Sequence, residues 1–199
     1  MFPLLETIRF EKGEFNNIEY HINRMKRSVS DCFSQSLQFI PKQVFLEAQQ
    51  SFGEKPGLFK FRLLYNNRSY RWEFIPYTLP DIKTLKLIVD DQIEYSCKFS
   101  DRNKLNQLGE LRDNTDDILI VKNGEITDTS FANIIFSDGT NWFTPKNPLL
   151  PGTQRAYLID QGIISEAVIT PGDINRFQKV RLINAMIRFE DKMTITKIY

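Results

Sequence analysis

Four short segments of this chain hold residues whose type and spacing could do chemistry, and each has a plainer structural reading beside it. In HINRMKR, residues 21–27, Arg24 and Arg27 stand one helical turn apart, near enough to meet one anion, and His21 precedes Arg24 on the same face. A solvated basic face and a structural histidine are the ordinary alternatives. In YSCKFSDR, Lys98 lies between Cys97 and Phe99. A lysine in apolar surroundings can lose its proton near neutral pH and act as nucleophile or base, whereas most lysines sit at the surface. In ITDTSFAN, Asp128 stands among Thr127, Thr129 and Ser130, a set that can equally cap its own turn. In LLPGTQR, a glycine before a helix presents backbone N–H groups and the positive end of the helix dipole to an anion, and Thr153 adds a hydroxyl. Pro151-Gly152 is also a common way simply to turn the chain.

Composition narrows the chemistry. The chain has 199 residues and a single histidine, His21, so Ser-His-Asp and Cys-His arrangements are excluded unless His21 is the base. Zinc sites built on several histidines are excluded too, and no metal is expected. Two cysteines, Cys32 and Cys97, cannot make a Cys-rich metal site and do not resemble a secreted disulfide framework, so both are expected to be reduced. The net charge of +1 argues against a general electrostatic grip on nucleic acid. No apolar run approaches the ~20 residues of a membrane helix. Glu6, Arg9, Glu11 and Lys12 stand where a signal peptide would need an apolar stretch, so a cytoplasmic protein is expected and the sequon at Asn67 is read as chance. The chemistry must come from Lys, Arg, Asp, Glu, Thr or a cofactor.

The elements that must position these residues follow from periodicity. Residues 4–10 read as a strand, with a turn at Gly13 and a short strand near Phe15. Residues 19–33 read as a helix with Ile22, Met25, Val29 and Phe33 inward. Pro41 opens a second helix with Val44, Phe45 and Ala48 inward, and Gly53 ends it. Residues 57–77 form a hairpin around Asn66-Asn67, with Phe59, Phe61 and Leu63 on one face and Lys60, Arg62 and Leu64 on the other. Residues 78–86 lack periodicity and contain Pro80. They suggest an N-terminal α/β subdomain over 1–79, a linker over 80–86 and a larger strand-rich subdomain over 87–199. In the second part, TLKLIVDDQ, residues 84–92, reads as a strand, and Ser100 or Asp101 caps a helix carrying Leu105, Leu108 and Leu111. Strands then run through DDILIV, EITDTS, FANIIF and NWFT, a helix starts near Thr153, and two strands, KVRLINAMI and MTITKIY, close the chain. The fold class is α+β with antiparallel strand pairs.

Taken in order, the chemical segments resemble the fold-type-IV pyridoxal-phosphate enzymes, a family that includes branched-chain and D-amino acid aminotransferases and aminodeoxychorismate lyase. The family's H-x-x-R-L helix corresponds to His21-Ile22-Asn23-Arg24-Met25, and its cofactor lysine before N-R or D-R to Lys98-Phe99-Ser100-Asp101-Arg102. Its G-x-v-t-E-x-s-x-s-N-i-f stretch corresponds to residues 124–136. Its T-P and l-L-x-G-i-t-R segments correspond to Thr144-Pro145 and residues 149–155. The resemblance implies a D-amino acid aminotransferase-like fold and pyridoxal 5′-phosphate as cofactor. It implies that Lys98 holds the cofactor and, once freed by substrate, moves the α-proton. Arg24, Thr153 and Gln154 would meet the phosphate, and Asp128 would keep the pyridine nitrogen protonated. Three departures stand out: Asp128 where the family usually has glutamate, Gln154 where it has threonine, and a chain that begins almost at the first strand, without a segment that most relatives place before it.

Thr7, at a position where the lyase carries a threonine thought to help proton transfer, and Asn184, in a segment resembling the lyase's N-a-l, favour a 4-amino-4-deoxychorismate lyase that releases pyruvate and 4-aminobenzoate. Arg9 and Arg62 would meet substrate carboxylates. A class IV aminotransferase acting on branched-chain or D-amino acids stays open, as does a non-catalytic binding module. A small amino substrate and a homodimer are the partners that the resemblance and the apolar hairpin imply, with neither nucleic acid nor membrane.

Overall fold

The computed structural model describes residues 2–199, which form two compact units. The first comprises residues up to Leu79 together with Cys97–Asp101, and the second comprises Pro80–Ser96 and Arg102–Tyr199. Lys98 therefore belongs to the first unit, although the chain had already left it at residue 80.

The first unit is an antiparallel sheet backed by two helices. Its strands are β1 (Leu4–Glu11), β2 (Glu14–Phe15), β3 (Leu58–Tyr65) and β4 (Tyr70–Pro76), in the order β2-β1-β3-β4, and its helices are α1 (Ile18–Phe33) and α2 (Pro41–Phe52). Alternation along β1 turns Leu4, Glu6, Ile8 and Phe10 to one face, where register sets Phe61 opposite Ile8 and Leu63 opposite Glu6. Ile22, Met25 and Val29 of α1 and Val44, Phe45 and Ala48 of α2 share that core. Each such fully buried side chain contributes roughly 1.5–3 kcal/mol. Phe33 was expected inside, but it is 37% exposed in the last turn of α1, where Ser34 already takes a left-handed conformation.

β2 is so short that it pairs only with Phe10 and Glu11, leaving the Leu4–Leu5 edge of β1 open. Lys98 and Phe99 fill that edge: Leu5 N–H donates to the Lys98 carbonyl at 2.9 Å, and Phe99 bridges Leu4. Ser100 is drawn into the same seam, its N–H to Pro3 O and its hydroxyl to Phe2 O. It therefore does not cap the next helix as expected.

The second unit is a mixed sheet. Its strands are β5 (Thr84–Val89), β6 (Asp117–Lys122), β7 (Glu125–Thr129), β8 (Asn133–Ser137), β9 (Trp142–Pro145), β10 (Ser165–Ala167), β11 (Lys179–Ile183), β12 (Thr194–Ile195) and β13 (Lys197–Ile198), and its helices are α3 (Asn103–Glu110) and α4 (Thr153–Asp160). The main path runs β10-β9-β8-β7-β6-β5-β13, and β11 also pairs with β8. β5 lies parallel to β6 and β13, and β9 parallel to β10, so the sheet is not purely antiparallel. β5 begins at Thr84, where the strand over residues 84–92 was expected to begin, so residues 84–86 are strand rather than linker, fixed where Asp116 Oδ2 accepts the Lys83 and Thr84 N–H groups. The last expected strand is two short ones, because β12 pairs with β11 and β13 with β5. Asn123 and Gly124 form the β6–β7 turn with φ of 52° and 78°, the pair of left-handed residues that a tight hairpin demands. Of the three leucines expected on this helix only Leu105 is buried, while Leu111 lies just past the end of α3 and is 48% exposed. No described helix is long and apolar enough to cross a membrane.

The cysteines depart from expectation. Cys32, near the end of α1, and Cys97 are joined by a disulfide spanning 65 residues of sequence, so neither is a free thiol. Composition argued for reduced cysteines, but the seating of residues 97–100 on β1 brings Cys97 into the core that holds Cys32. Closing so long a loop removes entropy from the unfolded chain worth on the order of 2–4 kcal/mol. Protein purified without reductant and then denatured should show no alkylatable thiol until it is reduced, and Cys32→Ser should lower the unfolding free energy by a similar amount. Two reactive thiols before reduction would contradict the pairing.

Candidate active site

In the first unit, a carboxylate stands where the alternation of β1 calls for an apolar residue. Glu6 is 0% exposed and faces α1. Arg24 Nε donates to its Oε1 at 2.9 Å and Arg24 Nη2 to its Oε2, while His21 Nδ1 lies 2.6 Å from Oε2. Burial alone would push the Glu6 carboxyl up. The Arg24 charge, with the His21 and Arg24 hydrogen bonds, overrides it and holds the group at about 2. Burial, with the Arg24 and Lys98 charges adding to it, lowers the His21 imidazole below its ordinary value against the pull of Glu6, so its ring is neutral at pH 7. Burial and then the Glu6 charge raise the phenol of Tyr65 above its ordinary value. Lys98, half-buried on the edge of β1, is thus close enough for its charge to act on His21. Arg24 and Lys98 are among the residues that the sequence singles out; Glu6 is not. Its signal was a charged residue on the apolar side of LLETIRF.

The other face of the sheet carries the candidate substrate residues. Thr7 and Arg62 are cross-strand partners, and Arg9 follows on the same face opposite Lys60. Arg9 is buried and pairs with Glu11 at 3.1 Å, and Arg62 pairs with Glu73 at 2.9 Å.

In the second unit, Asp128, Thr153 and Gln154 are all buried. Asp128 lies at an irregularity in the β6–β7 pairing, where Leu119 faces Thr129 but Val121 faces Ile126. The extra residue on β7 interrupts the alternation there, and bulges of this kind re-aim side chains. Thr127 anchors it through its hydroxyl to Ile120 O at 2.9 Å. The Asp128 carboxylate accepts from Asn133 Nδ2 at 2.7 Å and from the Leu150 N–H at 2.9 Å. Burial drives its pKa up to about 6, partly offset by the Leu150 and Asn133 hydrogen bonds and by the Arg155 charge. A folded-state pKa above the ordinary 3.8 means that ionising Asp128 costs stability as pH rises from 3.8 to about 6. A cation set against the carboxylate returns that stability, and a buried acid so perturbed is a functional-site signature. Three residues from Leu150, α4 begins at Thr153 with Gly152 as its N-cap, directing the positive end of its dipole toward Thr153 and Gln154. Arg155 turns away, to Pro145 O at 2.9 Å and Glu166 at 2.6 Å. Asn184 closes its own turn, accepting from Met186 and Ile187 N–H, and donates to Phe131 O at 3.3 Å.

A cavity of 330 Å³ in the same unit is lined by Glu94, Lys122, Thr127, Asn147 and Leu149 and does not include Asp128. Its polar groups are already engaged, Lys122 with Glu94 and Ile93 O, Asn147 with Glu125. Among the described residues, no group of three or more His, Cys, Asp or Glu is placed to hold a metal ion.

The first unit thus seats a lysine on an edge strand, and the second sets an acid beside a helix start. Residues 98–189 match the model of the amino-transferase class IV family. An uncharacterized protein of Haemophilus influenzae is 38% identical over 186 residues, 94% of this chain and 98% of its own. A crystal structure from Haemophilus somnus, provisionally named a 4-amino-4-deoxychorismate lyase, is 37% identical with a TM-score of 0.90, covering 95% of this chain and 98% of its own. The PLP-bound form of a hypothetical aminotransferase from Mycobacterium tuberculosis is similar in fold, with a TM-score of 0.80 at 14% identity over 98% of this chain and 81% of its own. The chain belongs to the class IV aminotransferase family and is an enzyme of the pyridoxal-phosphate-dependent type.

The Glu6 cluster sets an acid limit. Because the folded carboxyl titrates near 2 rather than 4.5, its contribution is present above pH 4.5 and is lost as pH falls toward 2, on the order of 3 kcal/mol. Glu6→Gln, which leaves Arg24 buried beside a neutral amide, should destabilise the fold by roughly 3–5 kcal/mol at pH 7 and flatten that acid limb in urea unfolding. An unchanged acid limb would show that Glu6 does not hold the cluster.

Proposed function

We propose that the chain binds pyridoxal 5′-phosphate and acts as a lyase on 4-amino-4-deoxychorismate, releasing pyruvate and 4-aminobenzoate. Each unit offers donors that suit part of the cofactor. In the first, Lys98 supplies an amine; in the second, Asp128 supplies a buried carboxylate whose ionisation a protonated ring nitrogen would favour, and Thr153 and Gln154 a helix start suited to a phosphate. Arg24 would add a guanidinium for the phosphate, with Glu6 fixing its plane. When bound, the cofactor supplies an electron sink for the carbanion formed next to the substrate nitrogen.

The chain's own residues then divide the work. Lys98 would remove a proton from the ring carbon that bears the substrate amine. The bond from that ring to the enolpyruvyl oxygen breaks, and the proton is returned to the methylene carbon of the departing enolpyruvate, giving pyruvate. Thr7 would assist this transfer. The products together have the composition of the substrate, so no oxidant or second substrate is needed. Neutral His21, hydrogen-bonded to Glu6, helps keep the Arg24 guanidinium in place.

The observation that carries the lyase reading is the single sheet face shared by Thr7, Arg9 and Arg62, which sets a hydroxyl beside two arginines whose present partners, Glu11 and Glu73, two substrate carboxylates would replace. Support also comes from the likeness to the Haemophilus somnus protein over nearly the whole chain.

Incubated with pyridoxal phosphate and 4-amino-4-deoxychorismate, the protein should release pyruvate and 4-aminobenzoate in equal amounts, and Thr7→Ala should slow release by roughly 10²-fold or more. Transfer of the amino group from a branched-chain or D-amino acid to a keto acid, with no pyruvate formed, would assign the class IV aminotransferase instead. Neither reaction, with no cofactor taken up, would leave a binding module.

A further inference from the structure

Asn133 is the first residue of β8 and the direct cross-strand partner of Asp128. It is 5% exposed, as is Asp128. Its side-chain amide donates to two acceptors, Asp128 Oδ1 at 2.7 Å and the Leu150 carbonyl at 3.0 Å. Both are oxygens without a proton to give, so they fix which end of the amide is nitrogen. Leu150 closes the ring by donating its own N–H to Asp128 Oδ2 at 2.9 Å. The remaining end of the amide points at Gly152. A Cβ on residue 152 would lie 2.0 Å from Asn133 Oδ1, so no side chain fits there while Asn133 keeps its place. Gly152 has an ordinary extended backbone, with φ −70°, so glycine is required at this position for space rather than for conformation.

We infer that Asn133 is a positioning residue: it ties the Asp128 carboxylate to the Leu150–Gly152 turn and so fixes the acid relative to the start of α4. This rests on the reading above, in which Asp128 faces the ring nitrogen and the start of α4 faces the phosphate of one bound cofactor. Those two ends belong to a rigid molecule, so the spacing between their protein partners has to be held as well as their identity. The Asn133–Asp128–Leu150 ring holds it from within one unit. Its second effect is electrostatic. Arg155, whose charge favours the ionised Asp128 carboxylate, is itself bonded to Pro145 O and Glu166. Against burial, which pushes the Asp128 carboxyl up, the neutral donors, Leu150 N–H first and then the Asn133 amide, do more to favour the ionised form than that charge does.

The test reads Asp128 directly. Carboxyl ¹³C NMR of the full chain without cofactor gives its midpoint, with Asp128→Asn assigning the signal. Asn133→Leu removes the donor at similar volume and should raise the midpoint by about 1–2 pH units, since a hydrogen bond to a charged group is worth that much. Gly152→Ala should raise it as well, because the added Cβ displaces the Asn133 side chain, although residue 152 bonds nothing on Asp128. A purely structural asparagine would lower stability in both variants and leave the Asp128 midpoint unmoved. An unmoved midpoint in folded Asn133→Leu or folded Gly152→Ala overturns the inference, and if one variant fails to fold the other decides. Affinity for pyridoxal phosphate, measured separately, should fall by roughly tenfold or more in both. A wild-type chain whose midpoint shifts as described but which takes up no pyridoxal phosphate would refute the cofactor reading and leave the positioning of Asp128 standing.

Discussion

A carboxylate removed from water must be given donors or it takes up a proton, and the core of the second unit is arranged around one such group. Asp128 sits beyond a break in the β6–β7 register, inside a tight β7–β8 hairpin, against a backbone turn that supplies an N–H, and next to an asparagine that supplies another. The need for close approach fixes Gly152, and Gly152 is also where α4 begins. The acid and the helix dipole are therefore not independent features that happen to be near. They are two consequences of one short run of chain, residues 149–154, packed on one hairpin. Even so, the donors leave Asp128 short of full compensation, with its pKa at about 6. That residual deficit is what makes the site receptive to a cation.

The first unit solves the same problem by a different route. Glu6 has a full positive charge beside it, and Arg24 with His21 saturates the carboxylate so well that it titrates near 2. An ion pair this buried gains little net stability against an apolar alternative, so its value lies in order. It locks an arginine fork at a fixed position on α1. The same strand, left unpaired at its Leu4–Leu5 end by the shortness of β2, receives the returning segment that carries Lys98. Lysine placement and arginine placement thus both trace back to β1.

Much of the fold is legible in the amino-acid sequence. The apolar spacing of residues 22–29 and 44–48 marks two helices that pack as their patterns require, and Asn123-Gly124 marks a hairpin turn that needs two left-handed residues. Lys98, Arg24 and Asp128 were marked by chemical type and by their order along the chain. What stayed hidden was what depends on pairing across distance. Nothing local tells that Ser100 will be drawn onto Phe2 and Pro3 rather than cap a helix, or that Cys97 will follow it into contact with Cys32. Phe33 obeys helical spacing yet falls at a helix end with nothing above it, and is exposed. The register break at Asp128 and the double role of Asn133 leave no mark in composition or periodicity, because both arise from how one strand meets another.

The central claim is that Lys98 is the residue to which a pyridoxal cofactor is attached. Borohydride reduction of the protein loaded with pyridoxal phosphate, followed by proteolysis and mass spectrometry, places the attachment directly. The account predicts a single phosphopyridoxyl group on the peptide containing Lys98, and none on that peptide in Lys98→Ala. Modification at another lysine, or none at all in a folded and cofactor-saturated sample, would contradict it.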